Sequence, residues 1–207
     1  DSLPAFRDGL AQAAGQSFLQ AEDYPVILER LTIPATDTAP DIRLLTVRPR
    51  KDAASPRPVL LHLQGGGYFA GQPELTATQL CQFAQDLDCV VISPDYRLTP
   101  EHPFPAAIED AYTTLCWITR NADTLGIDPA RIGLTGESAG GGLAAGLALL
   151  TRDREGPTLL LQTPVSPVPA ARSTMGHPAA SSLRGEVLST RRASCAARVM
   201  ISVVSSS

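Results

Sequence analysis

The chain has 207 residues, a length that suits one domain better than two. Its composition, 43% hydrophobic and 18% charged, is typical of a globular protein, and its net charge of −4 argues against nucleic acid or an anionic membrane as a partner. No segment is long and apolar enough to span a membrane and no signal peptide is recognisable, so we expect a cytoplasmic protein. The four cysteines have no metal-site spacing.

Helices and strands are predicted in alternation along most of the chain. Apolar residues at helical spacing predict helices over residues 3–20, 74–87, 105–122 and 138–150. Short apolar runs predict strands over 26–33, 42–48, 59–63, 89–93, 131–135 and 158–161, with a turn at Asp128-Pro129. This alternation predicts an α/β fold in which helices cover both faces of a mostly parallel sheet.

The pattern changes after about residue 165. Residues 166–207 are rich in Ser, Ala and Arg and show no helical or strand period. We therefore divide the chain into an N-terminal helix (1–20), an incomplete α/β domain (21–165) and a divergent, disordered tail (166–207). An out-of-frame or alternatively spliced extension is our hypothesis for this tail, because periodicity is lost abruptly.

One motif carries nucleophile chemistry. Gly136-Glu137-Ser138-Ala139-Gly140 fits G-x-S-x-G between a predicted strand and a predicted helix. In that setting the serine occupies a tight turn, and the N-terminus of the helix offers free N–H groups to a developing oxyanion. The alternative is a glycine-rich helix start that packs closely against a strand.

A second glycine motif, Gly65-Gly66-Gly67, follows the predicted strand 59–63. By itself a triple glycine is usually only a flexible turn. At the carboxyl end of a buried strand upstream of the serine strand, it fits a loop that donates N–H groups to a tetrahedral intermediate.

These motifs, with the segment 94–106 (Pro-Asp-Tyr-Arg-Leu-Thr-Pro-Glu-His-Pro-Phe-Pro-Ala) between them, resemble the hormone-sensitive-lipase-like carboxylesterases of the α/β hydrolases, the fold-3 type. The resemblance covers about residues 20–165. It implies an α/β-hydrolase fold, Ser138 as nucleophile, and Gly66, Gly67 and Ala139 as the oxyanion hole. It also implies that the N-terminal helix 1–20 is a cap helix over the acyl pocket. The family usually has His before the three glycines, whereas this chain has Gln64, which we expect to hydrogen-bond to the loop backbone.

The acid and the base of a catalytic triad are not found. In the family both follow the nucleophile, where this chain offers the carboxylates Asp153, Glu155 and Glu186 and the imidazole of His177. The first two fall in a polar loop and the others in the tail, where no strand aims them at Ser138. We therefore expect the C-terminal part of the fold to be missing and the chain to be nearly inactive.

The sequence thus predicts a carboxylic ester hydrolase by family, acting on small-molecule esters through an acyl-serine without metal or cofactor. A non-catalytic ligand-binding or regulatory protein on the same fold remains the alternative. A peptidase on this fold is a weaker one. The oligomeric state is left open by the sequence.

Overall fold

A computed structural model describes residues 2–35 and 40–165 of the chain. The tail 166–207, with His177 and Glu186, lies outside the described residues, so the predictions made for it stay predictions.

The described residues form five α-helices and six strands. The helices are α1 (Leu3–Ala21), α2 (Ala77–Asp86), α3 (Ala106–Arg120), α4 (Ala122–Leu125) and α5 (Ala139–Asp153), and a 3₁₀ turn covers Pro73–Thr76. The strands are β1 (Val26–Ile33), β2 (Ile42–Pro49), β3 (Arg57–Leu63), β4 (Val90–Pro94), β5 (Ile127–Glu137) and β6 (Leu161–Val165).

The six strands make one sheet in the order β1-β2-β4-β3-β5-β6. The neighbours β4, β3, β5 and β6 pair in parallel, while β2 pairs antiparallel with both β1 and β4. The predicted mostly parallel sheet is therefore confirmed. Because β3 and β5 lie side by side, the segments that follow their carboxyl ends are neighbours in space.

Two apolar clusters lie on opposite faces of the sheet, because side chains alternate along each strand. On one face Leu61 and Ile92 pack with residues of α3, α4 and α5. On the other face Leu60 and Val91 pack with residues of α2 and the end of α1. Helices on both faces are thus confirmed, and the central strands β3 and β4 are buried from both sides.

The structure corrects three predicted boundaries. The turn predicted at Asp128-Pro129 lies within β5, at an irregularity in its pairing with β3 around Pro58, which has no N–H for the ladder. The strand predicted at 158–161 begins only at Leu161. The helix predicted over 74–87 is a 3₁₀ turn followed by α2.

Among the described residues, no helix combines the length and the apolar character that a membrane crossing requires.

Truncation of Leu61 tests how much the central strand β3 contributes to the stability of the fold. The Leu61 side chain is fully buried between the sheet and the helices on its face, so Leu61→Ala should lower the free energy of unfolding by about 2–5 kcal/mol. Leu19→Ala on α1 is the control, since Leu19 is 58% exposed and its truncation should change that free energy by less than about 0.5 kcal/mol. Urea unfolding of the full chain measures both. Equal losses would contradict the burial described.

Candidate active site

Strand register brings the two glycine motifs together. Leu63 at the end of β3 pairs with Gly136 near the end of β5. The segment 64–71 and the turn at Ser138 therefore leave the same edge of the sheet side by side. Ligands of open α/β sheets bind at this carboxyl edge.

Ser138 sits in a strained turn between β5 and α5. Its φ of 53° and ψ of −117° lie outside the ordinary regions for a residue with a Cβ. The residue is exposed, while Gly136, Ala139 and Gly140 around it are buried. The turn thus presents one hydroxyl to solvent at the N-terminus of α5, where the helix dipole favours negative charge.

The space around this turn admits only glycine at two positions. A Cβ on Gly140 would overlap the carbonyl oxygen of Leu63, and a Cβ on Gly136 would lie 2.6 Å from the same oxygen. The end of β3 therefore fixes where the Ser138 turn can lie. The strand-turn-helix context predicted for the motif is confirmed by the order β5, Ser138, α5.

The glycine loop is a compact turn in which Gly66 has a φ of 136° and Gly67 a φ of 64°. The Gly66 carbonyl accepts hydrogen bonds from the N–H groups of Phe69 and Ala70, at 3.2 and 3.0 Å. The N–H groups of Gly66 and Gly67 donate to no other described residue. Within the part of the chain that the structure describes, two backbone donors beside the Ser138 turn are thus unpaired.

A carboxylate links the glycine loop to the turn. Glu137, the residue before Ser138, accepts the Gly65 N–H at 2.8 Å with Oε1 and contacts His62 Nε2 at 2.9 Å with Oε2. Burial raises the pKa of Glu137, but the hydrogen bond and charge interaction with His62 and the Gly65 N–H outweigh it, so the pKa lies below its ordinary value. Sequence reasoning did not single out this contact, which depends on strand register.

Gln64 corrects one expectation. Its side chain is buried, and neither Nε2 nor Oε1 has a partner among the described residues, so the predicted hydrogen bond to the loop backbone is absent there. Two backbone groups next to this side chain are paired with other residues. Tyr96 donates its hydroxyl to the Gln64 carbonyl at 2.7 Å, and Glu137 takes the Gly65 N–H.

Helix α1 is attached to the same loop by Arg7. This guanidinium donates to the Phe69 carbonyl at 2.7 Å, to the Thr99 carbonyl at 2.7 Å and to both carboxylate oxygens of Glu101 at 2.8 and 2.9 Å. The Phe6 ring lies 6.2 Å from that of Phe69. The sequence predicted helix α1 but gave no sign of this attachment.

Ser138 has no hydrogen-bonded side-chain partner among the residues that the structure describes. His62 contacts Ser93 and Glu137 instead. Asp153 is the last residue of α5, about 20 Å along the helix from Ser138, and Glu155 follows it. The candidates His177 and Glu186 lie outside the described residues. No group of three or more His, Cys, Asp or Glu in residues 2–35 and 40–165 could hold a metal ion.

Comparison with known proteins decides the family. A sequence model of the alpha/beta hydrolase fold family matches residues 60–205, well over half of the chain. The chain belongs to this family. The resemblance to fold-3, hormone-sensitive-lipase-like carboxylesterases is confirmed by the esterases among the proteins that it is similar to.

The curated relatives match part of this chain. Esterase LipI of Mycobacterium tuberculosis is 43% identical over 105 residues, which are 51% of this chain and 33% of that protein. Arylacetamide deacetylase of Bos taurus is 37% identical over 135 residues, 63% of this chain and 34% of that protein.

Solved structures agree with the fold. The crystal structure of esterase LipW from Mycobacterium marinum has a TM-score of 0.74 at 31% identity, covering 80% of this chain and 52% of that one. A bacterial heroin esterase has a TM-score of 0.73 at 36% identity, covering 81% and 52%.

The hydrolase chain thus spans about a third of the length of these curated relatives and half of these solved structures. The family match also continues past residue 165 into the segment that we interpret as divergent, and that interpretation stays a prediction.

A substitution at Gly140 tests the contact between the Ser138 turn and β3. Gly140→Ala places a methyl group against the Leu63 carbonyl, so it should lower the free energy of unfolding by about 1–3 kcal/mol or more. Gly9→Ala is the matched control, because Gly9 lies on α1 with nothing within 4 Å of its Cβ position, and it should stabilise the chain by about 0.5–1 kcal/mol. Urea unfolding of both variants shows whether each substitution raises or lowers the free energy of unfolding. A stabilising Gly140→Ala would contradict the packing.

The pH dependence of the Arg7–Glu101 ion pair tests the attachment of α1 to the segment that contains Glu101. The hydrogen bond and charge interaction with Arg7 lower the pKa of Glu101 to about 2. The ion pair should therefore stabilise the chain above about pH 4.5, the ordinary range of a glutamate, and this stabilisation should disappear as the pH falls toward 2.

Melting temperatures of the wild type and of Glu101→Gln, recorded from pH 7 to pH 2, measure this effect. Their difference should be constant above pH 5, should shrink toward pH 2, and should also shrink in high salt because both side chains are partly exposed. A difference independent of pH would contradict the assignment.

Proposed function

We propose that the chain carries the nucleophile and oxyanion site of a carboxylic ester hydrolase, with Ser138 as the nucleophile. The observation that carries this proposal is the strained, exposed Ser138 turn beside a glycine loop with free N–H groups. Backbone strain in a structure is maintained only where the surroundings over-determine it, and it concentrates at functional sites.

The N–H groups of Gly66, Gly67 and Ala139 are the proposed oxyanion donors. Gly66 and Gly67 belong to the loop after β3, and Ala139 begins α5 directly after Ser138. A tetrahedral intermediate places a negative charge on the former carbonyl oxygen, and preorganised N–H groups stabilise that charge. Removal of one such donor typically costs about 10²–10³ in kcat.

The proposed reaction has two steps. The Ser138 Oγ attacks the ester carbonyl carbon, its proton passes to a base, and the C–O bond to the alcohol breaks with return of a proton to the alcohol. Water then attacks the acyl-serine in the same way and releases the carboxylic acid. The residues described here supply the nucleophile and the donors, and the reaction itself requires no metal or organic cofactor.

The rate of ester hydrolysis by this chain depends on whether a side chain can accept the proton of Ser138. Since no described side chain hydrogen-bonds to Ser138, we propose that the chain by itself hydrolyses esters slowly, as the sequence predicted. In a serine hydrolase, loss of the histidine lowers kcat by roughly 10⁶-fold and leaves about 10³–10⁴ over water.

Small esters are the proposed substrate class. Two relatives are named arylacetamide deacetylase and heroin esterase, and the first name describes removal of an acetyl group. An aryl acetate such as p-nitrophenyl acetate is therefore the first substrate to test. A cytoplasmic location remains part of the proposal.

Helix α1 is proposed to cover one side of the site. Arg7 binds the Phe69 carbonyl of the glycine loop, and the exposed rings of Phe6 and Phe69 lie together there. An apolar wall beside the oxyanion donors is suited to the acyl or aryl part of an ester.

The alternative function is ligand binding without turnover. It is favoured by one observation, the absence of a hydrogen-bonded partner for Ser138 among the described residues. The two functions differ in whether Ser138 reacts.

Hydrolysis of p-nitrophenyl acetate by the purified full chain, beside Ser138→Ala, tests the proposed function. We expect a measurable rate for the wild type and a kcat/KM lower by about 10-fold or more in Ser138→Ala, because the proposed acyl-serine cannot form without the Ser138 hydroxyl.

Ser55→Ala serves as a matched control, since this serine is exposed in the segment before β3, at the opposite edge of the sheet from Ser138. Equal rates for the wild type and Ser138→Ala would contradict the esterase proposal. Saturable binding of an aryl ester with equal rates would support the alternative.

A further inference from the structure

We propose that Glu137 is the positioning residue that holds the oxyanion donors in register with Ser138, and that His62 holds Glu137 in place. This inference rests on the proposed function and deepens it. It assigns a role to the variable residue of the G-x-S-x-G motif and to a histidine that has no part in the proposed reaction steps.

The peptide group between Gln64 and Gly65 is held at both ends. The Gln64 carbonyl accepts the Tyr96 hydroxyl at 2.7 Å, and the N–H of the same peptide, that of Gly65, donates to Glu137 Oε1 at 2.8 Å. Both ends of the peptide are therefore fixed, and Gly66 and Gly67 follow directly. Glycines are conformationally free, so without such contacts this loop would sample many orientations of its donors.

Glu137 is also covalently joined to Ser138. A single residue thus contacts the donor loop through its side chain and carries the nucleophile through its main chain. Movement of the loop relative to the nucleophile must break the Gly65 hydrogen bond. A misplacement of about 1 Å in an active site can cost about 10²-fold in rate.

His62 orients the carboxylate from the opposite side. Its side chain is 1% exposed, with Nε2 at 2.9 Å from Glu137 Oε2 and Nδ1 at 3.1 Å from Ser93 Oγ. An ionised carboxylate only accepts hydrogen bonds, so Nε2 carries a proton and donates it to Glu137 Oε2, while Nδ1 pairs with Ser93 Oγ. The chain Ser93, His62, Glu137 therefore joins the ends of β4, β3 and β5.

Two variants separate the geometry of Glu137 from its charge. Glu137→Ala removes both contacts. Glu137→Gln keeps an oxygen for the Gly65 N–H, and its amide can donate to His62 Nε2 once the ring proton moves to Nδ1 and is donated to Ser93. A positioning role therefore predicts failure of the alanine variant and rescue by glutamine.

The test uses amide hydrogen exchange of the full chain by NMR together with kinetics on p-nitrophenyl acetate. In Glu137→Ala, exchange at Gly65 should be at least about 10-fold faster, since its hydrogen bond is lost, and kcat should fall about 10–100-fold. KM should change less than about 3-fold, because the oxyanion forms only in the transition state. Glu137→Gln should stay within about 3-fold of the wild type in each quantity.

Glu109→Gln is the matched control, a carboxylate paired with Arg154 at the surface. It should leave Gly65 exchange and kcat unchanged. If Glu137→Ala does not fold, Tyr96→Phe tests the other end of the peptide plane and should also accelerate exchange at Gly65.

Unchanged Gly65 exchange in a folded variant would overturn the proposal, and so would faster exchange with an unchanged Ser138-dependent kcat. If the wild type has no Ser138-dependent hydrolysis, the proposed function fails. The exchange rates then decide the positioning role alone: faster exchange in the alanine but not the glutamine variant supports it, and equal rates contradict it.

Discussion

The carbonyl oxygen of Leu63 lies so close to Gly136 and Gly140 that neither position has room for a Cβ. This backbone contact between the end of β3 and the start of α5 sets the geometry of the site. It holds the Ser138 turn against β3, and the glycine loop continues from the same strand end. Any residue larger than glycine would separate the nucleophile from the N–H donors proposed to act with it.

Polar contacts then hold the Ser138 turn and the glycine loop in their relative positions. Glu137 joins the turn to the loop through Gly65, Tyr96 holds the other side of that peptide, and Arg7 ties α1 to Phe69. Each of these hydrogen bonds links segments far apart in the sequence. The site therefore depends on the whole sheet being assembled, although its chemistry rests on a few residues after β3 and β5.

Whether a feature of the fold or the site can be predicted from the sequence depends on how far apart in the sequence its interacting residues are. The Ser138 motif, the glycine loop and the alternation of strands and helices are local patterns, and all of them are visible in the sequence. The Glu137–His62 contact depends on the register of β3 against β5, which no local pattern fixes. Gln64 was expected to pair with the loop backbone, but its buried side chain has no partner among the described residues, while Tyr96 and Glu137 bind the Gln64 carbonyl and the Gly65 N–H.

The central claim is that Ser138 and the N–H groups of Gly66, Gly67 and Ala139 form one oxyanion site. A crystal structure of the full chain after reaction with an aryl phosphonate tests it most directly, because the phosphoryl oxygen of the adduct imitates the oxyanion. We expect a covalent bond to Ser138 Oγ and a phosphoryl oxygen about 2.7–3.1 Å from these backbone nitrogens. A Ser138 adduct whose oxygen points to solvent, or a folded chain that leaves Ser138 unmodified, would contradict it.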